Sequence, residues 1–184
     1  MKKTLLILAH PNLEQSVFNS ILIDGVRDLG NLTIRHLDSL YGGDTKAIDV
    51  PLEQQFLMEH DRIVFQFPWY WYSSPAMLKA YLDEVFTYGF AFGQMGDKLR
   101  GKELKIASTI GAPEYAYQSD GFNNFTINQL TLPFRQTAYK AGMKYTEGFF
   151  LYGSGGSISR NELMQRLIEY KKILTEKWQE DKAM

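Results

Sequence analysis

The chain has 184 residues, a formal net charge of −1 and no cysteine. Its length suits one domain, residues 1–184, with a sizeable core, and 45% hydrophobic with 22% charged residues is globular rather than disordered composition. The near-neutral charge argues against nucleic acid or an anionic membrane as partner, and the lack of cysteine excludes disulfides, thiol catalysis and cysteine-ligated metal or iron–sulfur centres.

Lys2-Lys3 precede a run too short for a signal peptide, which ends in His10-Pro11 without a small-residue cleavage site. No run approaches a membrane span, so a soluble, cytoplasmic protein is expected. Thr4 to Ala9 reads as a buried strand and His10 to Gln15 as a polar turn. Ser16 is an N-cap, followed by an amphipathic helix through Val17, Phe18, Ile21, Leu22 and Leu29 that stops near Gly30-Asn31. Leu32 to Leu37 is a second strand, a candidate edge strand. Tyr41 to Asp44 is loop, and Pro51 to Glu59 is a short helix. Ile63 to Phe67, led by Asp61-Arg62, is an apolar run of the kind buried on both faces of a parallel sheet, and Pro68 stops it. Four aromatics follow, Trp69 to Tyr72. Ser74 then reads as a cap and Pro75 as the first position of a helix to Phe86.

Tyr88 to Gly93 is aromatic and glycine-rich, either a connection packed on the core or a subunit interface. Leu104 to Thr109 is the next strand, with a tight loop from Ile110 to Glu114 and a longer one from Tyr115 to Phe122. Thr126 to Ala141 is mostly helix, with Pro133 either a kink or a second start, and Gly142 ends it. Lys144 to Tyr152 is the fifth strand and Gly153 to Ser157 a flexible loop. The last helix starts near Ser159 and carries Leu163, Leu167, Tyr170, Leu174 and Trp178 on one face.

Strands alternating with helices imply a parallel sheet covered on both sides. Five such units suit a flavodoxin-like three-layer α/β sandwich with a five-stranded sheet in the order 2-1-3-4-5. Neither a G-x-G-x-x-G after the first strand nor a P-loop motif is present. Ligands of open α/β sheets sit at strand carboxyl ends, so three loops matter. In the first, His10, Ser16 and Asn19 offer donors to a phosphate at a helix N-terminus, or Ser16 is a cap and nothing more. In the second, Trp69 to Tyr72 form a wall for a flat conjugated ligand, or belong to the core or an interface. In the third, Thr109-Ile110-Gly111-Ala112, glycine lets backbone approach a ring, or the segment is a simple turn. Convergence of the three on one edge favours a flavin pocket.

At this point the motifs become specific. Ala9-His10-Pro11 with Ser16 and Asn19, Phe65-Gln66-Phe67-Pro68 through Tyr72 with Pro75, Leu78 and Lys79, and Thr109 to Ala112 with Tyr117, Gly121 and Asn123 resemble three motifs of the flavodoxin-like NAD(P)H:quinone oxidoreductase family. The similarity runs over nearly the whole chain. It is nearest to short bacterial members of the general stress protein 14 type and to the ancillary oxidoreductase of the glutathione-regulated potassium efflux system. The resemblance implies FMN or FAD as cofactor, FMN being favoured because the chain is short and has no obvious adenine site. It also implies NADPH or NADH as co-substrate, a quinone-type acceptor and a homodimer. By the same resemblance His10, Ser16, Val17, Phe18 and Asn19 hold the phosphate and ribityl chain. Pro68, Trp69, Tyr70, Trp71 and Tyr72, with Thr109, Ile110, Gly111 and Ala112, line the ring. Tyr117 matches a tyrosine that handles charge beside the flavin, whereas the companion histidine of animal members is Asn123 here. Two other functions remain open: an ancillary regulatory subunit docked on a potassium efflux transporter, peripheral to the membrane through that partner, and a flavodoxin-like electron carrier. The near-neutral charge weakens the carrier. Three histidines without ligand spacing argue against a metal site, and the lack of a G-x-S-x-G elbow against a serine hydrolase.

Overall fold

The structure is a computed structural model and describes residues 2–156 and 158–176. Among the described residues six strand segments form one parallel sheet: β1 (Thr4–Leu8), β2 (Leu32–His36), β3 (Arg62–Pro68), β4 (Glu103–Thr109), β5 (Lys144–Tyr145) and β6 (Phe149–Leu151). The order is β2-β1-β3-β4-β5, with β6 pairing β4 beyond β5. Among the described residues seven α-helices flank it: α1 (Val17–Val26), α2 (Leu37–Tyr41), α3 (Val50–Glu59), α4 (Ala76–Val85), α5 (Ile127–Leu130), α6 (Leu132–Lys140) and α7 (Arg160–Thr175). The expected order and edge position of β2 are thus observed. Among the described residues no helix is long and apolar enough to cross a membrane.

Side chains alternate across a strand, so each strand feeds two cores. Leu5, Ile7, Ile63, Phe65, Phe67 and Ile106 pack against α3, α4 and α6 through Leu57, Leu78, Tyr81 and Phe134. Leu6, Leu8, Val64 and Ala107 pack on the other face against α1 and α7 through Leu22, Val26, Leu167, Tyr170 and Leu174. β3 and β4 are buried at every position. Trp178 lies outside the described residues.

Four local readings change. Pro68 is the last residue of β3 rather than its stop, paired with Thr109. Ser74 does not cap α4. Pro75 holds the cap position with ψ 154°, and its carbonyl accepts the first helical bonds from Leu78 and Lys79. The helix expected over 126–141 breaks at Thr131. Pro133, which has no N–H to continue α5, lies in the first turn of α6, so it marks a second start. The fifth strand splits into β5 and β6. Leu104 pairs with Tyr145 and Ala107 with Phe149, so Lys105 and Ile106 face three residues, Thr146, Glu147 and Gly148. That extra residue is a bulge. A Cβ on Gly148 would stand 2.9 Å from the Ile106 carbonyl, so only glycine fits it. The one-turn helix α2, closed by Gly42 at φ 60°, was absent from the reading of the sequence.

The amino ends of β3 and β4 carry a buried ion pair. Arg62 Nε donates to Glu103 Oε2 at 2.6 Å, and Thr146 Oγ1 to Glu103 Oε1 at 2.7 Å. Lys105 Nζ lies 3.2 Å from Oε1. Burial alone would raise the Glu103 pKa. The hydrogen bonds from Thr146 and Arg62 and the charge of Lys105 outweigh it and hold the carboxyl below its ordinary value. The unfolded carboxyl therefore takes up its proton first as pH falls. The stabilisation is complete above about pH 4.3, the ordinary glutamate value, and is lost as pH falls toward the lower folded one. Glu103→Gln should cost about 3 kcal/mol at pH 7, as breaking a buried pair does. Urea unfolding from pH 7 to 3 should show the gap to the parent narrowing below about pH 4. A gap that stays constant would mean that ionised Glu103 contributes nothing.

Candidate functional site

The order β2-β1-β3-β4 sets the loops after β1, β3 and β4 side by side at one sheet edge. The last two are joined directly, Trp69 N–H donating to the Thr109 carbonyl at 2.9 Å.

After β1, Ser16 caps α1, its Oγ accepting from Asn19 N–H at 3.2 Å. The N–H groups of Val17 and Phe18, in the first turn, have no intrahelical partner and face the entry of the helix. Val17 is exposed and Phe18 half-buried. Asn19 is 1% exposed, and its amide is spent inside the protein: Nδ2 donates to Thr109 Oγ1 at 2.9 Å and to Ser16 Oγ at 3.3 Å. It is therefore a tie between loops, not the free phosphate donor its position suggested. His10 is buried, and its Nδ1 accepts from Asn12 N–H at 3.1 Å, so its proton sits on Nε2. Burial, then neighbouring His36, lower its pKa against the opposing pull of Asp38, leaving a neutral donor at pH 7.

After β3, Tyr70 and Ser73 exchange two backbone hydrogen bonds, of 3.0 and 2.9 Å, across Trp71 and Tyr72. Both central residues have positive φ, 47° and 63°. This is the two-residue turn that normally takes Asn-Gly. Bulky L-residues there cost about 1 kcal/mol each. Trp71 is nevertheless 92% exposed. Tyr72 O–H donates to Asn123 Oδ1 at 3.1 Å. Trp69 stacks on Phe67, centroids 6.0 Å apart, and its Nε1 is buried without a partner among the described residues.

After β4, the glycine-rich loop expected to be flexible is a clamp. Gly153, Ser154 and Gly155 donate N–H groups to the carbonyls of Ala112, Ile110 and Gly111 at 3.0, 3.0 and 3.1 Å. Ser157 lies outside the described residues. A Cβ on Gly155 would stand 2.9 Å from the Gly111 carbonyl, so the clamp needs glycine there. A Cβ on Gly111 itself would meet nothing within 4 Å.

Trp69, Trp71, Tyr72, Gly111, Ala112, Tyr117 and Asn123 line a cavity of about 250 Å³. Pro68 and Ile110 are buried behind it, and Tyr70 belongs to the hairpin stem. Tyr117 is 5% exposed and packs near Tyr152 with centroids 5.8 Å apart. Burial, and then Tyr72, push its pKa up, so it stays a protonated donor at neutral pH. Among the described residues no cluster of His, Asp or Glu could hold a metal ion. Two residues of this region went unread in the sequence as site residues, Gln66 and Tyr170. Gln66 Nε2 donates to Asn19 Oδ1 at 3.2 Å, and its Oε1 accepts from Tyr170 O–H. The available signal was an amide inside the apolar run of β3, since a buried amide must find partners.

The model of a family described as having a flavodoxin-like fold matches residues 2–174. An uncharacterised NAD(P)H oxidoreductase of Bacillus subtilis, YdeQ, is 45% identical over 173 residues, 94% of this chain and 86% of that protein. The glutathione-regulated potassium-efflux system ancillary protein KefG of Cronobacter sakazakii is 41% identical over 150 residues, 82% of this chain and 80% of KefG. Among solved structures, one named as a thermophilic tryptophan halogenase from Streptomycin violaceusniger superposes with a TM-score of 0.90 at 42% identity, covering 95% of this chain and 99% of that one. General stress protein 14 of Treponema denticola in complex with FMN gives 0.87 at 37% identity, with 94% and 97% covered. An NADPH-quinone reductase from P. pentosaceus gives 0.86 at 32% identity, with 94% and 98% covered.

The hairpin strain makes a prediction without reference to any ligand. Trp71→Asn with Tyr72→Gly supplies the residues this turn prefers, so the double variant should be about 1 kcal/mol more stable to urea than the ligand-free parent. A less stable variant would show that the aromatic contacts outweigh the turn strain.

Proposed function

The chain belongs to the flavodoxin-like fold family whose model it matches over residues 2–174, and from that premise we propose that it is an FMN-dependent NAD(P)H oxidoreductase acting on quinones or related acceptors. The reading takes residues 1–184 as one flavodoxin-like domain. The observation that carries it is the cavity where the loops after β3 and β4 meet, walled by aromatics on one side and open backbone on the other. Three features fit a flavin mononucleotide. The space left by Gly111 suits a ring edge. The buried Trp69 Nε1 lacks a partner among the described residues and would gain one. The free N–H groups at the start of α1, beside the Ser16 hydroxyl and neutral His10, suit a phosphate. Oxidoreductase and quinone-reductase relatives and the FMN-bound stress protein support the same reading. The halogenase name belongs to that structural relative and is not carried over to this chain.

FMN, held by these loops, would supply hydride acceptance from NAD(P)H and two-electron reduction of the acceptor. The chain's own residues supply position and electrostatics. Trp69, Trp71 and Tyr72 stack and exclude water. The Gly111 and Ala112 N–H groups, fixed by the Gly153–Gly155 clamp on their carbonyls, are preorganised donors for negative charge building at the ring edge. The Tyr117 hydroxyl is the candidate further donor. Asn123, held by Tyr72, is neutral and cannot act as an imidazolium.

The purified protein should be yellow or take up added FMN, and should oxidise NADPH or NADH with a simple benzoquinone as acceptor. Gly111→Ala should leave stability unchanged within about 0.5 kcal/mol, since its Cβ meets nothing, yet weaken FMN binding at least tenfold, about 1.4 kcal/mol. Tyr117→Phe should slow flavin reduction about tenfold with affinity nearly intact. Failure of the parent to bind FMN or FAD would refute the flavin reading. A Tyr117→Phe rate within about twofold of the parent would return that side chain to packing.

The reading includes a homodimer, on evidence that differs from the sequence's. Phe90 is buried and Phe92 half-buried against the first core, so they are not available to a partner. Trp71, Tyr88, Phe122 and Phe125 are exposed at 92, 67, 66 and 54%. Exposed aromatics of this number mark a partner surface, and twofold pairing is the commonest closed symmetry. Light scattering at micromolar concentration should give twice the chain mass, and a monomer mass would refute the dimer. KefG, at 41% identity, supports the second reading, an ancillary subunit brought to the membrane face by a transporter. Co-purification with a potassium efflux protein would favour it over a free-standing enzyme.

A further inference from the structure

The first and third loops are joined by a buried hydrogen-bond string that begins on α7. Tyr170, 0% exposed, donates its phenol proton to Gln66 Oε1. Gln66, also 0% exposed, donates Nε2 to Asn19 Oδ1 at 3.2 Å. Asn19 donates Nδ2 to Thr109 Oγ1 at 2.9 Å and to Ser16 Oγ at 3.3 Å. Two primary amides in series have a direction. Reversing one reverses the other, because each presents an acceptor on one side and donors on the other.

In the observed sense both hydroxyls accept from Asn19, and their own protons are free to point away from it. In the reverse sense Asn19 Oδ1 would face the hydroxyls and draw those protons inward. The choice falls to Tyr170. Its hydroxyl has no other hydrogen-bond partner among the described residues, and burial pushes its pKa well up, so it keeps its proton. A Gln66 that turned Nε2 toward the phenol would leave that buried proton unpaired, the costly outcome.

We propose that Tyr170 is a positioning residue that sets the hydrogen-bond polarity of the site, so that the Ser16 and Thr109 hydroxyls act as outward donors to an oxygen-rich anionic ligand group. The proposal rests on the flavin reading above, the group being the phosphate end of FMN. The Gln66 and Asn19 amides transmit the choice, and neither Tyr170 nor Gln66 touches the ligand.

Two measurements test it, on parent, Tyr170→Phe and Leu174→Ala. Leu174, 0% exposed one turn along the same face of α7, is a packing control without a side-chain hydrogen bond. Titration with FMN and with riboflavin, which lacks the phosphate, gives a preference ratio. Tyr170→Phe should reduce the preference for FMN about tenfold, mostly through weaker FMN binding. Leu174→Ala should lose stability and keep the ratio. Neutron diffraction from deuterated crystals of parent and Tyr170→Phe reads the amide directions without any ligand. Parent amides should point as described, and those of the variant should reverse or become mixed. A ratio within twofold of the parent, or unchanged amides in the variant, would overturn the proposal. If the parent binds neither flavin, the functional reading fails by itself, and the neutron result alone decides whether Tyr170 sets the polarity.

Discussion

Burial of β3 and β4 on both faces constrains everything else in this molecule. A strand between two helical layers has no solvent side, so each polar side chain within it must be paired or removed. The chain obeys this at two levels of the sheet. At the amino end, Arg62 and Glu103 meet each other. At mid-strand, Gln66 is paired on both sides of its amide, with Tyr170 and with Asn19. The remaining chemistry is displaced to the carboxyl ends, where the strands stop and backbone groups become available. The candidate site therefore lies where the architecture leaves polar groups unspent.

The same constraint explains why the loops after β3 and β4 differ in character. The loop after β4 is clamped by three backbone hydrogen bonds from the glycine-rich turn after β6, and Gly155 is demanded there by the nearby Gly111 carbonyl. Its backbone is thereby fixed before any ligand arrives. The loop after β3 is a tight hairpin holding two aromatics in a conformation they disfavour. One wall is rigid and relaxed; the other is held under local strain and carries the nearly bare Trp71 ring. Strain retained at an exposed residue serves neither packing nor burial, which is a reason to assign that ring to a ligand or a partner.

Legibility in the sequence followed the range of each interaction. The parallel order, the edge strand and the capped α1 were readable because apolar runs, punctuation and a serine cap are local signals. The split of the last strand was not, because its cause is the Ile106 carbonyl against Gly148, contacts far apart in sequence. Pro75 displaced Ser74 as the cap through its own extended ψ, which no propensity rule specifies. The glycine run after β6 carried the composition of a flexible linker, although its N–H groups are committed to the third loop. Asn19 was read as a ligand donor since its register on α1 is right. Only the fold brings Thr109 and Gln66 close enough to consume its amide.

That reassignment changes how the first loop works. With Asn19 occupied, the donors that the proposed reading turns toward an anion are the Ser16 and Thr109 hydroxyls, the first-turn N–H groups and His10, whose proton is placed on Nε2 by the Asn12 N–H on the other ring nitrogen. His36 is also fixed, since its Nε2 lies 2.9 Å from the His10 carbonyl, which can only accept. Each donor is thus oriented by a neighbour that does not itself face the ligand. A site built so has little freedom to turn an acceptor outward, and preorganised donors in a partly buried setting favour an anion without any cationic side chain. A near-neutral chain with no lysine or arginine among these donors can hold a phosphate on those terms, by the direction of its hydrogen bonds rather than by net charge.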